Sequence, residues 1–449
     1  MSGRAWLDSK GENKLELTQN LWERFGFRDN PFDTRALSLS NNALLPITKA
    51  FVGRDTHSKE SRLITNFFRN PGGGRVVVEG DVGVGKTTFV NYHRFRWEHE
   101  ARDRLLTPSS EISVYSTWTA QAFVMSVLGS LIGRFLVLKG KKWVHDHDLL
   151  SEVAALTQVY IERSLRWSVS ISVLGTGVGG SRATERATNV PDVGMPQLVS
   201  YLEQISSLAH DEGFAGITLH FDNMELLMQT DREGLGRFFD EIRDVLQTPG
   251  FYFVFVAPTG FFQGIIVPLE RVRSIFFGQP IHLPPLMLEE VLEVIHRRYE
   301  LLAAEPDRWI PPVSDNLIEY LYKLYDGKIR FIMDSIGNII SHMPESFPGT
   351  VPDELAHAIL LELARQKAGS LLTSTELDVL TEAARMEEFT NAALAERTGK
   401  LKQNIAKYID RFLELNLAYP VRKESKQVFY RVAEDMRILG REDGHGNIE

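Results

Sequence analysis

The sequence contains no cysteine. That excludes disulfides, thiol catalysis and cysteine-ligated zinc together. Its 12 histidines are scattered without metal-site spacing. The tightest group, His145-Asp146-His147, reads as an exposed polar turn. An excess of positive charge is missing too. The formal net charge is −9, so a chain coated in basic surface for nucleic acid is excluded, and any DNA contact has to be local. Met1 to Lys14 lacks the apolar core of a signal peptide. The uncharged run from Gly250 to Leu269 is interrupted by Pro258, Gly260, Gly264 and Pro268. It therefore reads as a buried strand plus loop, not a membrane span. These absences predict a cytoplasmic protein with no membrane partner. At 449 residues and 43% hydrophobic, the chain can bury large cores across roughly two to four domains.

What is present centres on Gly80-Asp81-Val82-Gly83-Val84-Gly85-Lys86-Thr87, followed by Thr88. This fits the phosphate-binding pattern G-x-x-x-x-G-K-[ST] at every fixed position. Arg75 to Glu79 upstream is a β-branched run, and Thr88 to Tyr92 downstream carries no helix breaker. The glycines let successive N–H groups turn toward phosphate oxygens, and the helix N-terminus adds a field that favours anions. Lys86 is expected to reach the β- and γ-phosphates, and the Thr87 hydroxyl to bind Mg²⁺. Ile217 to Phe221 is a hydrophobic run ending at Asp222, within a stretch that continues Asn223-Met224-Glu225. A buried strand of that kind carries a carboxylate to the edge beside the loop, where it can hold Mg²⁺ through water. Arg54, in Phe51-Val52-Gly53-Arg54-Asp55, either approaches the adenine or phosphate side of a nucleotide or is simply solvated.

The rest of the chain divides into an arm over 1–50, a core over 51–285, a helical lid over 286–368, a C-terminal unit over 369–440 and a tail over 441–449. Leu15 to Phe25 could form one amphipathic helix, and Asn30-Pro31-Phe32 is a turn with an apolar anchor. Lys86 and Asp222 are 136 positions apart, so the core carries an insertion at about 119–210. Within it, Thr119 to Leu138 and Leu149 to Leu165 have helical spacing, and Pro196 to His210 looks helical. Trp167 to Gly180 alternates like a hairpin, either packed on the core or mobile enough to grip a partner. Arg232 to Gln247 reads as a polar helix and Phe251 to Val256 as a fully apolar strand. The C-terminal unit orders three helices before a β-hairpin, as a winged helix-turn-helix does. Thr373-Ser374-Thr375-Glu376 caps the first helix. Residues 400–431 hold eight cations against three anions in a chain of net −9. Lys400, Lys402, Lys407, Arg411, Arg422, Lys423 and Lys426 are the candidate DNA contacts. The same unit could instead contact protein, or present a solvated face.

Taken together, these features resemble an AAA+ ATPase, most similar to the origin-recognition/initiator branch and to related STAND-type ATPases. The resemblance implies an α/β fold: a P-loop parallel-sheet core with a helical lid and a C-terminal winged helix. It also implies ATP and Mg²⁺ as cofactors, DNA and a partner protein of unknown identity, and nucleotide-dependent homo-oligomerisation. Leu269 to Ser274 stands where these families carry an RVxS motif near the subunit boundary, making Arg271 and Arg273 candidate fingers from a neighbouring subunit. Gly327-Lys328-Ile329-Arg330 stands where they place a sensor-2 arginine. Thr259 occupies the place of a sensor-1 residue that orients water, or merely caps a turn. Two departures stand out. Asn223 follows Asp222 where active members usually carry glutamate, which leaves Glu225, two residues further on, as the substitute. Ile275 follows the RVxS stretch where initiators often have another arginine. The implied function is an ATP-dependent oligomerising switch that binds DNA and regulates or loads a partner. The alternative is a signalling ATPase whose winged helix is an internal brake and does not bind DNA. A small-molecule kinase would leave the lid arginine and the C-terminal unit without purpose.

Overall fold

The structure, a computed structural model, describes residues 20–441 except 40–42, 55–56, 116–117, 159, 161–192, 345–346 and 348. Six parallel strands form the central sheet: β1 (Gly73–Glu79), β2 (Leu105–Leu106), β3 (Ile112–Ser113), β4 (Gly216–Asp222), β5 (Phe251–Ala257) and β6 (Ile281–His282). Their order is β2-β4-β5-β1-β6, with β3 also paired to β4. Residues of β5 are buried throughout, as a central strand covered on both faces requires. The period of two sorts side chains between the faces. Val77, Phe253 and Phe255 join one cluster, while Val76, Val78, Val254 and Val256 join another.

β4 does not adjoin β1. β5 lies between them, with Phe221 opposite Phe255 and Ala257 opposite Glu79. All three strands therefore end at the same edge. β4 stops at Asp222, Asn223 adopts a left-handed conformation (φ 69°), and a helix begins at Met224. The run that looked continuous through Glu225 is thus a strand and the first turn of a helix. The left-handed residue is what breaks it, and asparagine tolerates that geometry better than most residues.

The helices Ala120–Lys139 and Met195–Asp211 pack on the Phe253 face. Ala120–Lys139 is long and apolar enough to cross a membrane, yet Phe123, Leu128, Leu131, Ile132 and Phe135 are fully buried inside the protein. In the second expected helix of the insertion, 148–158 is helical. The hairpin expected at Trp167 to Gly180 lies outside the described residues. Arg232 to Gln247 is not one helix. It ends at Glu241 and is followed by a separate turn, Val245–Gln247.

The lid comprises Leu288–Leu302, Asp315–Leu324, Ile329–Ser341 and Asp353–Gly369. Residues 20–37 bind along it as a strap. The helix expected from Leu15 to Phe25 is, over its described part, one 3₁₀ turn, Glu23–Phe25. Gly26 ends that turn at φ 84°, where a Cβ would lie 2.4 Å from the Arg308 carbonyl oxygen. The close approach lets Arg28 N–H donate to the Leu302 carbonyl (2.8 Å) and Ala304 N–H to Gly26 (2.8 Å). Phe27 stacks on Tyr299 at 5.2 Å.

The C-terminal unit has helices Ser374–Ala384, Asn391–Thr398 and Lys402–Glu414, then an antiparallel hairpin of β7 (Ala418–Glu424) and β8 (Gln427–Val432). Thr373 and Glu376 form a reciprocal capping box on the first helix, as the sequence predicts. A final turn, Glu434–Arg441, docks on the lid. One hydrophobic core runs from Ile336 and Ile339 of the lid to Phe412 and Leu439 of this unit.

Candidate functional site

Gly83 (φ 85°) and Gly85 (φ 90°) take left-handed conformations that wrap the loop after β1. Gly80 is also obligatory: a Cβ there would meet the Leu283 carbonyl oxygen at 2.7 Å. The helix Lys86–His99 starts inside the loop. Its first two residues face two carboxylates. Lys86, 6% exposed, donates from Nζ to the carbonyls of Gly80 and Asp81 (2.9 Å each) and to Glu225 Oε1 (3.0 Å). Thr87 Oγ1 donates to Asp222 Oδ2 at 2.8 Å. The contact brings together residues that the chain separates by an entire insertion.

Asp222 is mostly enclosed. Burial pushes its carboxyl above the usual value, against hydrogen bonds from Thr87 and the Asn223 N–H; the charge of Glu225 pushes the same way and that of Lys86 opposes it. A desolvated carboxylate beside a threonine hydroxyl is a fitting donor pair for a hard cation such as Mg²⁺, which answers the charge that burial strands. Asn223 turns away, donating from Nδ2 to Ser113 Oγ at 3.0 Å. Glu225 reaches the site because the left-handed Asn223 turns the chain into the helix beginning at Met224, whose second residue meets Lys86.

The turn after β5 is tied to the same loop. Thr259 Oγ1 donates to Asp81 Oδ1 at 2.9 Å. Glu79, the last residue of β1, accepts the N–H groups of Gly260 (3.4 Å) and Phe262. Arg54 is not solvated. Its guanidinium is buried, donating to the Val84 carbonyl at 3.0 Å and to the Pro284 carbonyl, and burial lowers its pKa to about 10.

A cleft opens over the loop, lined by Gly83 to Thr88, Asp222, Asn223 and Glu225 on the core and by Leu286, Val294, Arg298, Arg330 and Met333 from the lid. The lid touches the loop directly. Arg330 N–H donates to the Gly83 carbonyl at 3.2 Å, and a Cβ on Gly83 would stand 3.1 Å from the Arg330 Cβ. The Arg330 side chain is exposed at the cleft. Val82 is exposed and Val84 buried. Arg271 and Arg273 are exposed on the short helix Glu270–Arg273 and are not part of the cleft lining.

Several cleft residues escape sequence reading. Thr34 to Leu37 of the strap form one wall. Leu37 N–H donates to Thr88 Oγ1 (3.3 Å), and Asn91 Nδ2 donates to the Leu37 carbonyl (3.1 Å). Arg298 is buried and holds the strap by donating to the carbonyls of Pro31 (3.0 Å) and Asp33 (2.6 Å). Burial lowers its pKa to about 10. The signal for Arg298 was available: it is an arginine on the apolar stripe Val291, Val294, Ile295, Tyr299 and Leu302. The strap wall had no comparable signal, because its contacts with Thr88 and Asn91 are made by the Leu37 backbone.

In the C-terminal unit, Lys402, Lys407, Arg411, Arg422, Lys423 and Lys426 are exposed and Lys400 is half-buried. Arg411 pairs with Glu414 at 3.3 Å, and Arg422 pairs with Glu388 at 3.0 Å. The five lysines make no ion pair among the described residues.

No protein-family model matches the sequence, and no curated protein does. Among solved structures, the chain is similar to the Aeropyrum pernix ORC2 protein in its ADPNP-ADP complexes: 14% identity over 92% of this chain and 97% of that one, TM-score 0.47. It is also similar to the Aeropyrum pernix ORC1 protein in complex with DNA, at 11% identity over 89% and 96%, TM-score 0.42. A third is the Thermotoga maritima RuvB Holliday junction branch migration motor, at 14% identity over 87% and 96%, TM-score 0.40.

Proposed function

We propose that this protein is an AAA+ P-loop ATPase that works as a nucleotide-dependent switch, joining copies of itself and engaging DNA through its C-terminal winged helix to regulate or load a partner protein. The observation that carries the reading is the pairing of Thr87 with Asp222 at 2.8 Å beside Lys86, with the lid residue Arg330 seated on Gly83. Those groups supply what a Mg²⁺-bound triphosphate requires. Lys86 and the loop N–H groups hold phosphate oxygens, and Thr87 and Asp222 hold the cation, which neutralises phosphate charge when bound. Arg330 adds a permanent positive charge from the lid, so that lid position follows the γ-phosphate. Thr259 and Glu225 are the candidates to orient and deprotonate water. Arg271 and Arg273 are exposed and outside the cleft, and on this reading they act on the nucleotide of a neighbouring copy.

The test is DNA binding by the full chain with and without ATP, together with its size in solution. ATP is expected to enlarge the assembly and tighten DNA binding, with affinity falling as salt rises. A nucleotide-independent monomer with no duplex affinity would overturn the reading. Glu225→Gln is expected to leave ATP affinity within about threefold and slow hydrolysis by roughly a hundredfold, the usual contribution of a positioned general base. Single-turnover kinetics with labelled ATP separates the two effects. Equal slowing by Asn223→Ala and none by Glu225→Gln would move the base elsewhere.

One observation favours the second reading. The C-terminal unit shares its core with the lid and is locked to it by the buried Lys328–Glu434 pair at 2.7 Å. A brake of this kind predicts a closed, ADP-bound monomer as purified, without DNA affinity.

A further inference from the structure

The arginines and lysines of the C-terminal unit are used differently. Arg397, Arg411, Arg422, Arg431 and Arg437 each hold an ion pair, with Glu382, Glu414, Glu388, Asp326 and Asp326 respectively. Arg431 and Arg437 thereby fix the unit to the lid. Lys402, Lys407, Lys423 and Lys426 hold none among the described residues and are exposed. Lys402 and Lys407 lie on the first half of the helix Lys402–Glu414, and Lys423 and Lys426 at the tip of the hairpin.

At that helix start stand Leu401, Gln403 and Asn404. Leu401 is 72% exposed, the most exposed of the large apolar side chains among the described residues. Gln403 and Asn404 are exposed, and neither side chain makes a hydrogen bond among the described residues. The far half of the same helix carries Asp410 and an Arg411–Glu414 pair, a net negative charge against the two lysines of the first half. The helix is therefore polarised. Its first turn offers Lys402, two free amides and the apolar tip of Leu401, with Lys407 following, while its last turn holds Arg411 paired with Glu414. Such a helix approaches a polyanion more favourably start first.

We propose that this first turn, through Leu401, Gln403 and Asn404, recognises A·T base pairs in the major groove of duplex DNA. The proposal rests on the C-terminal unit being the DNA-binding element. Its chemistry is specific to that base pair. A carboxamide pairs in bidentate fashion with adenine N6 and N7, and an apolar side chain packs on the thymine methyl group. Phosphate contacts carry no base information directly, and the exposed lysines are assigned to these salt-dependent contacts.

The experiment is selection of duplexes from a randomised pool by the full-length protein with Mg·ATP, followed by affinity measurements on an enriched and a scrambled duplex. The enriched sequences are expected to share an A·T step. Asn404→Ala and Gln403→Ala are each expected to cut the preference for the enriched duplex roughly tenfold. Affinity for the scrambled duplex should stay within about twofold. Lys402→Ala combined with Lys407→Ala should weaken both duplexes alike and lower the salt slope by about one per lysine. Duplex binding without A·T enrichment, or a preference untouched by both amide substitutions, overturns the base-reading proposal while DNA binding stands. Failure to bind any duplex overturns both.

Discussion

Lys86→Ala is expected to weaken binding of Mg·ATP by about a hundredfold or more. A charge-assisted hydrogen bond contributes roughly 1.5–3 kcal/mol, and each 1.4 kcal/mol is about a tenfold change in affinity; the ammonium serves more than one phosphate oxygen. The fold should survive the change. Without nucleotide, Lys86 is satisfied by two loop carbonyls and Glu225. The Glu225 side chain is 36% exposed and can be hydrated once its partner is gone. Titration calorimetry with ATP and Mg²⁺ measures the loss, and circular dichroism confirms that the chain is folded. Affinity within about threefold of the parent would remove Lys86 from the phosphate site, since no charged contact of that kind is so weak.

The second large effect concerns the joint between lid and C-terminal unit. Lys328 precedes Arg330 by two positions, and its ammonium pairs with Glu434 at 2.7 Å with both side chains about nine-tenths buried. Tyr419 donates to the same carboxylate at 2.9 Å. Removing one member leaves a buried charge without its partner, at a cost of about 3–5 kcal/mol. Lys328→Ala and Glu434→Ala are therefore each expected to destabilise the protein by that order. The double substitution should cost less than the sum of the two. Chemical denaturation monitored by fluorescence checks this, and a change below about 1 kcal/mol would assign the joint to the hydrophobic core alone.

The same pair gives the stability a pH dependence. Burial pushes the Glu434 carboxyl up, but the hydrogen bond and charge of Lys328, with help from Tyr419 and Arg437, outweigh it, and the folded pKa lies below the ordinary value. A depressed carboxylate pKa means that the unfolded chain binds the proton first. The stabilisation is fully present above the unfolded value of about 4.3 and is lost as pH falls from there through the folded value. Glu434→Gln is expected to flatten the acid limb of the stability profile and leave its neutral slope unchanged.

The P-loop, the strand ending at Asp222 and the capped helix after Thr373 could all be read directly, because each is a local pattern with its own chemistry. The strand order could not. β5 separates β1 from β4 through pairings between residues more than thirty positions apart, such as Leu219 with Phe253. Nor could the placement of Glu225, which depends on the left-handed Asn223 converting strand into helix within one residue. The strap was the largest omission. Trp22, Phe25, Phe27 and Phe32 anchor the strap in the lid core, but residues 33–37 have little periodicity, and the path past the site depends on backbone carbonyls that Arg298 reaches from the lid and Asn91 from the helix Lys86–His99. Where the determining contact is a backbone group on one side and a lone polar residue on the other, composition carries no trace of it.

The central claim is that the cleft between loop and lid holds a Mg²⁺-bound triphosphate. A crystal structure of the full chain grown with a non-hydrolysable ATP analogue and Mg²⁺ tests it most directly. The account predicts phosphate density in the loop, the Lys86 ammonium turned from Glu225 onto that density, a cation between Thr87 and Asp222, and the Arg330 guanidinium facing the terminal phosphate. An empty loop at saturating analogue, with the Lys86–Glu225 pair intact, would contradict it.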